Sequence, residues 1–250
     1  NRFDSYVERQ ICTTARSVIV TNTQFGEKLV REQGLNRNKI LVINQGFDQS
    51  NKLSTEIDTS EFLPQDSLNI VYTGTLYSSF RNADNILTAL EGLSDILIVF
   101  IGDCKISSER ISRVGHSKIK IVGKLPHGDC LALQRKADLL LSIGNAHEDQ
   151  IPGKLFEYFG SARPILHIAT NPSDSIPSLL LKLGRGVGVM NDPMIIKEAL
   201  KKFVSLWQKR ILNDNFNLHM ETVTDYSWAT VAKKIQEKMQ EGIVSSSALR

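Results

Sequence analysis

The chain has 250 residues, 41% of them apolar, and a formal net charge of +3. That length bounds the answer at one large domain or two small ones with ample core, and so mild a charge gives no ground for a nucleic-acid partner. Cys12, Cys104 and Cys130 are odd in number, far apart and free of CxxC or His spacing, which argues against a disulfide framework or structural zinc and fits a reducing compartment.

Residues 2–15 predict a helix with scattered apolar positions. SVIVTNT (17–23) is a β-rich run, and Thr23 is placed to cap the helix QFGEKLVREQG, which Gly34 ends. KILVINQGF (39–47) is the next strand, and the polar, aperiodic stretch 48–67 with its proline reads as a linker. From 68 onward strands and helices alternate: NIVYTGTL, a helix about NILTALEGL, ILIVFIGD, a short helix near SSERISRVG, IKIVGKLP, the helix GDCLALQRKA and the strand DLLLSIGN. A helix opening near Pro152, ILHIAT, the helix SIPSLLLKLG, VGVM and the helix PMIIKEALKKFVSLWQKRIL complete the series. After the connector NDNFNLHMETVTDY comes the amphipathic SWATVAKKIQEKMQ, whose Lys233, Lys234 and Lys238 read as a solvated helix face. Alternating βα units with strands apolar on both faces imply an α/β fold, a Rossmann-like parallel sheet covered by helices on both faces. No apolar run approaches the roughly 18 residues of a membrane-spanning helix. The opening NRFDSYVERQ has neither a starting Met nor the pattern of a signal peptide, and is compatible with a piece of a longer protein.

Ligands of such sheets bind outside the carboxyl ends of the strands. That directs attention to GTLYSSFRNAD with Gly74 and Arg81, to GDC at 102–104, and to GNAHEDQIPGK. No GxGxxG follows the first strand and no GxxxxGK[ST] occurs, so a dinucleotide cofactor or a P-loop is not expected. In DQIPGKLFEYFGSARP (149–164), Pro152 suits the first position of a helix. Leu155, Phe156 and Phe159 then face a core and leave Lys154 and Glu157 at the open N-terminal turn. Unpaired N–H groups, the helix dipole and a lysine make an anion site there; the alternative is a surface helix with an ordinary Lys154–Glu157 pair. His116, His127, His167 and His219 have no partner at catalytic spacing and read as surface or satisfied core residues. Trp207 and Trp228 read as packing residues. The adjacent His147, Glu148 and Asp149 point in different directions, so no metal is expected.

The order of G-T-L and R-N near 74–82, I-G-D at 101–103, G-K-L-P at 123–126, A-D-L-L-L at 137–141, then D-x7-E with P-G-K-L-F-E-Y-F-G-S-A-R-P, resembles the C-terminal, donor-binding half of GT-B retaining glycosyltransferases (glycosyl transferases group 1). The earlier S-V-I-V-T-N-T and K-I-L-V-I-N-Q-G-F-D resemble the end of that family's N-terminal domain, and Y-S-W-A-T-V-A-K-K-I its closing helix. The resemblance implies residues 1–50 as the tail of the N-terminal (acceptor) domain and 51–67 as a linker. It implies 68–213 as a nucleotide-sugar donor-binding Rossmann-like domain, and 214–250 as a C-terminal connector and closing helix.

It further implies that Glu157 takes the ribose hydroxyls, and that the first acid of the pattern, near the donor sugar, falls on Asp149, one methylene shorter than the usual Glu. Arg81 falls where a diphosphate-binding lysine is expected, Thr75 where its partner arginine is often found, and Lys154 is the candidate replacement cation. Arg81, Lys154 and Asp149 are thereby implied in catalysis. Gly74, Thr75, Lys124, Leu125, Gly153, Leu155 and Glu157 are implied in substrate binding, Lys124 and Leu125 through backbone contacts to the base. Fixed cations stabilise a departing diphosphate without a metal. The implied activity is metal-independent retaining hexosyl transfer from a nucleotide-diphosphate sugar to a glycan, a lipid-linked or a cell-envelope polysaccharide acceptor. The nucleotide-sugar is a substrate, and no separate cofactor is expected. The full-length protein is expected in the cytoplasm, with room for peripheral attachment to the inner face of the membrane. Because the acceptor site belongs to the other half, this chain alone is expected to bind donor weakly and to catalyse nothing. Residues 1–50 are expected to lack their sheet partners and to pack on the surface or pair with another copy. The alternatives are a nucleotide-sugar 2-epimerase and a non-catalytic nucleotide-binding or scaffold module.

Overall fold

The N-terminal segment builds a small unit of its own: α1 (Arg2–Thr14) and α2 (Thr23–Gln33) pack with a two-stranded parallel sheet of β1 (Val18–Val20) and β2 (Ile40–Val42). The computed structural model describes residues 2–48, 57–77, 81–145 and 151–247, so the expected linker is described only from 57 onward. Cys12, Val20, Leu29 and Leu35 form the unit's core, and Gln33 donates to Glu8 at 3.0 Å to tie the two helices together. The expectation that this segment lacks sheet partners is thereby corrected, since β1 and β2 pair with each other. The cap of α2 is also corrected: Asn22, not Thr23, accepts the Phe25 N–H, at 2.7 Å, because its backbone is extended while Thr23 is already helical. The strand expected to 47 ends at Val42, since β1 stops at Val20 and only the Ile43 N–H still reaches it, at 2.8 Å. The chain then runs to Phe47, which donates to the Tyr226 carbonyl and accepts from the Trp228 N–H, both at 2.9 Å.

The main body is a six-stranded sheet of β3 (Leu68–Thr73), β4 (Ile96–Ile101), β5 (Ile119–Gly123), β6 (Leu139–Ile143), β7 (Ile165–Ala169) and β8 (Gly186–Met190). All its pairings are parallel, in the order β5-β4-β3-β6-β7-β8. Every residue of β3, β4, β6 and β7 is buried, which is why their sequences run apolar without alternation. Successive residues still divide between two cores. Ile70, Ile98, Leu139 and Leu141 face α3 (Asp84–Leu90), α4 (Ser108–Val114) and α8 (Pro193–Gln208); Val71, Val99 and Leu140 face α5 (His127–Lys136), α6 (Lys154–Phe159) and α7 (Ile176–Leu183). From β3 the chain moves outward to β4 and β5, then returns to place β6 on the other side of β3. The carboxyl ends of β3 and β6 therefore flank a topological switch point, where sheets of this kind bind ligands.

The last helix, α9 (Trp228–Ser247), follows a connector pinned by Arg185. That side chain is 0% exposed, and its guanidinium donates to the carbonyls of Asn217 (2.9 Å), His219 (3.1 Å) and Phe159 (2.7 Å). Burial lowers its pKa to about 10. Among the described residues no helix is long and apolar enough to cross a membrane.

Candidate functional site

The floor of the site is main chain. At the ends of β3, β4 and β5 the Gly74 N–H donates to Ile101 (2.9 Å) and the Gly102 N–H to Gly123 (2.7 Å). A Cβ on Gly102 would lie 2.0 Å from the Gly74 carbonyl oxygen, and its φ of 125° is one that side chains rarely allow, so the two strand ends meet backbone to backbone. Half-buried Thr75 follows Gly74, and its carbonyl accepts the Tyr72 hydroxyl at 3.0 Å. It also lines a polar cavity of about 420 Å³ with Asn82, Asp103, Lys105 and Arg110. The loop after Thr75 is closed by paired hydrogen bonds between Tyr77 and Arg81, at 2.7 and 3.1 Å. From that fixed base the Arg81 guanidinium crosses the switch point to the end of β6, where Nε donates to Asn145 Oδ1 at 3.0 Å.

On the β6 side, α6 is shorter than the sequence suggests. It begins at Lys154 with Gly153 as its cap, Pro152 stands ahead of the cap, and no side chain caps it. The Leu155 N–H already donates to Pro152 (3.0 Å) and the Phe156 N–H to Gly153 (3.2 Å). The proline-started helix expected from sequence is thus corrected: the helix is six residues long and begins at Lys154 rather than at Pro152. The reason is packing. Gln45 Oε1 would lie 2.2 Å from a Cβ on Gly153, and the Phe47 ring 2.7 Å from one on Gly160, so the segment leaving β2 grips both ends of α6. Leu155 is wholly buried in the core, while Lys154 and Glu157 face outward.

Glu157 is the centre of the polar network. Lys154 Nζ bonds both of its oxygens, each at 2.8 Å; Gln134 Nε2 donates to Oε1 at 2.5 Å; and His127 Nε2 meets Oε2 at 3.0 Å. Burial by itself would raise this carboxyl, but the Gln134 and Lys154 hydrogen bonds, the Lys154 charge and the His127 contact outweigh it and hold it below the usual range. Gln134 is 0% exposed and is fixed by two further bonds at 3.0 Å, to Thr73 Oγ1 and from Ser161 Oγ. The buried Tyr158 hydroxyl accepts the Thr73 N–H at 2.9 Å. The last residue of β3 and the whole of α6 are therefore one hydrogen-bonded assembly.

Two of the histidines have the expected character, His127 at the surface and His167 as a satisfied core residue, and the structure adds their partners. His127 pairs with Glu157, and the fully buried His167 lies 2.9 Å from both Ser142 Oγ and Asp174 Oδ2. Burial pushes the Asp174 carboxyl up, but the His167 hydrogen bond and charge and the Ile176 N–H pull it below its usual value. The His127–Glu157 pair joins elements 30 residues apart, whereas His167 and Asp174 are only seven apart, on β7 and the loop that follows it.

Of the remaining expected residues, Lys124 is exposed and Leu125 half-buried just after β5, beside the glycine floor. Trp207 packs against the core as expected, while Trp228 is 49% exposed and lies against Gly46. It lines a small cavity of about 120 Å³ with Phe47, Asp48, His127, Arg135 and Glu157. Asp149, with His147 and Glu148, falls in 146–150, outside the described residues. Among the described residues no cluster of His, Cys, Asp and Glu could hold a metal ion.

No protein-family model matches this sequence, and no curated protein matches it either. Solved structures match its fold. One is Anabaena HepE in complex with UDP, with a TM-score of 0.75 at 14% identity over 96% of this chain and 68% of that one; the same protein in complex with UDP-glucose matches equally. Another is the sucrose-phosphate synthase of Thermosynechococcus elongatus (TM-score 0.72, 17% identity, 98% of this chain and 63% of that one). A third is WaaG, a glycosyltransferase involved in lipopolysaccharide biosynthesis (TM-score 0.64, 14% identity, 94% and 66%). Against these proteins the chain spans between 63% and 68% of their length. With a six-stranded parallel sheet between two helical layers and these structural matches, the chain has an α/β, Rossmann-like fold that corresponds to one half of a GT-B architecture.

Proposed function

We propose that this chain is the donor-binding part of a metal-independent retaining glycosyltransferase that moves a sugar from a nucleotide-diphosphate sugar to a glycan, lipid-linked or cell-envelope polysaccharide acceptor. The observation that carries this is the arrangement at the switch point: a cation from the β3 loop, Arg81, reaches across to β6, and an acid with its own lysine, Glu157 and Lys154, stands on the helix that follows β6. The fold shared with HepE, which was solved with UDP and with UDP-glucose, supports a nucleotide-sugar as the ligand.

In this reading Glu157 accepts the ribose hydroxyls. Arg81 and Lys154 neutralise the diphosphate as it leaves, by charge-assisted hydrogen bonds in a partly dry cleft. Gly74, Thr75 and Gly153 let the main chain approach the phosphates, Lys124 and Leu125 meet the base through their backbone, and the sugar is assigned to Asp149. Residues 68–213 are the donor domain, 1–50 the tail of the acceptor domain, 51–67 the linker and 214–250 the connector and closing helix. Acceptor recognition is assigned to the rest of the N-terminal domain, and the working place of the whole protein to the cytoplasm.

Calorimetric titration of the chain with UDP and with GDP tests the reading. One of them is expected to bind in the micromolar to millimolar range. A hydrogen bond to a charged group contributes about 1.5–3 kcal/mol, so Glu157→Ala and Arg81→Ala each weaken it by roughly 10- to 150-fold. Asp149→Ala is expected to do less. No heat with either nucleotide at millimolar concentration would refute the proposal in favour of a scaffold module.

A further inference from the structure

Glu157 as the structure holds it has no room for a ribose. A carboxylate offers about four acceptor positions. Lys154 fills one on each oxygen, Gln134 a second on Oε1 and His127 a second on Oε2. A ribose diol brings two hydroxyl donors, so something must leave before they can be accepted. Gln134 is not free to go, because it is wholly buried and its amide is fastened to Thr73 and Ser161 as well. His127 has a 60% exposed side chain, but its departure opens a position on one oxygen only. Lys154 is 40% exposed, ends a flexible stem, and is among the described residues the one donor that touches both oxygens, each at 2.8 Å. Its departure opens one acceptor position on each oxygen, the pair that a vicinal diol requires, while Gln134 and His127 keep the carboxylate in place.

We infer that Lys154 is an exchange group: in the ligand-free chain its ammonium occupies Glu157, and a diphosphate draws it away and so uncovers the carboxylate for the ribose. The inference rests on the donor-site reading above and adds to it a coupling between two halves of one ligand. A nucleoside alone has to displace Lys154 with no anion to receive it, and so does a diphosphate that leaves Glu157 bare. Bound together, each removes the other's cost, and by linkage the enhancement is the same in both directions.

The test uses the intact chain, inorganic pyrophosphate, and uridine or guanosine, whichever base belongs to the diphosphate that binds. In the wild type, saturating pyrophosphate is expected to tighten nucleoside binding at least fivefold, and saturating nucleoside to tighten pyrophosphate binding by the same factor. Lys154→Met leaves Glu157 uncovered. That variant is expected to bind the nucleoside at least fivefold more tightly than wild type, to bind the nucleoside diphosphate more weakly, and to show no effect of pyrophosphate on the nucleoside. A lysine with a purely structural role would not couple the two ligands. Independent binding of pyrophosphate and nucleoside by the wild type overturns the exchange, whatever the stability of the variants. So does a Lys154→Met chain that is folded by circular dichroism and binds the nucleoside no better than wild type. If the diphosphate binds and Glu157→Ala weakens it while either of those results is found, the donor-site reading stands and the exchange alone fails; if no nucleotide binds, both fail.

Discussion

Replacing Tyr158 with phenylalanine removes one oxygen from a buried ring and leaves its shape intact. That oxygen accepts the Thr73 N–H at 2.9 Å and lies 3.2 Å from Thr73 Oγ1. The pairing of β3 with β6 runs only through Ile70 and Val71, so on that side Thr73 has passed the end of the ladder and its N–H depends on Tyr158. In the variant a buried N–H is stranded, at a cost of about 1–3 kcal/mol. The Thr73 hydroxyl, which donates to the same oxygen at 3.2 Å, loses that acceptor too and keeps only the bond it accepts from Gln134 at 3.0 Å, which favours the upper part of that range. Urea denaturation followed by far-ultraviolet circular dichroism is expected to show a lower midpoint with an unchanged slope, since the surface exposed on unfolding is the same. In a thermal scan each kcal/mol corresponds to about 2–4 °C for a chain of this size. A variant within about 0.5 kcal/mol of wild type, the margin expected of a surface change, would refute the assignment of Tyr158 as the partner that β3 needs.

Acid pH is expected to destabilise the chain through Glu157 and Asp174, whose carboxyls are both held below their usual values in the fold. A depressed folded pKa means that the unfolded state takes up its proton first; the stability is fully present above the ordinary carboxylate values of about 4 and is lost as pH falls through the folded ones. Urea midpoints measured from pH 7 to pH 3 should fall less steeply in Glu157→Gln and Asp174→Asn than in wild type, and parallel curves would remove these two acids from the account. The two glycines of α6 should respond differently to alanine. At Gly160 the new methyl meets the buried Phe47 ring at 2.7 Å, which costs about 1–3 kcal/mol as overpacking, whereas at Gly153 it meets the end of the Gln45 side chain, which can swing aside for less than about 1 kcal/mol. Equal losses in denaturant titrations would contradict the packing described for residues 45–47.

The sheet was legible because its strands are buried on both faces. Runs such as ILIVFI and LLLSI cannot be solvated on either side, and the turns between them carry Gly and Asp. What local pattern misjudged was set by partners elsewhere in the chain. The strand expected at 39–47 is continuously apolar only from Ile40 to Ile43, and β1, its partner, is only three residues long. Pro152 signals a helix start, yet Gly153 is the cap and the helix begins two residues later, at Lys154. Asn22 and Thr23 are equally good caps by type, and the backbone decides between them. In the site the split is the same. Lys154 and Glu157 are three apart on one helix and could be paired by spacing alone. Arg81 and Asn145 are 64 residues apart and His127 and Glu157 30 apart, and no periodicity joins them.

Arg185 fastens the connector to the sheet with a buried charge that, among the described residues, has no carboxylate to answer it. Its positive charge is balanced by the dipoles of main-chain carbonyls, and none of those carries a proton to lose or gain. The molecule therefore has two kinds of polar fastening. One, around Glu157 and Asp174, is made with carboxylates and weakens in acid; the other, around Arg185, holds no group that takes up a proton in acid. As a solution is acidified, the carboxyl ends of the strands lose their grip first, and the return of the chain past Asn217 and His219 toward α9 is still held when they do.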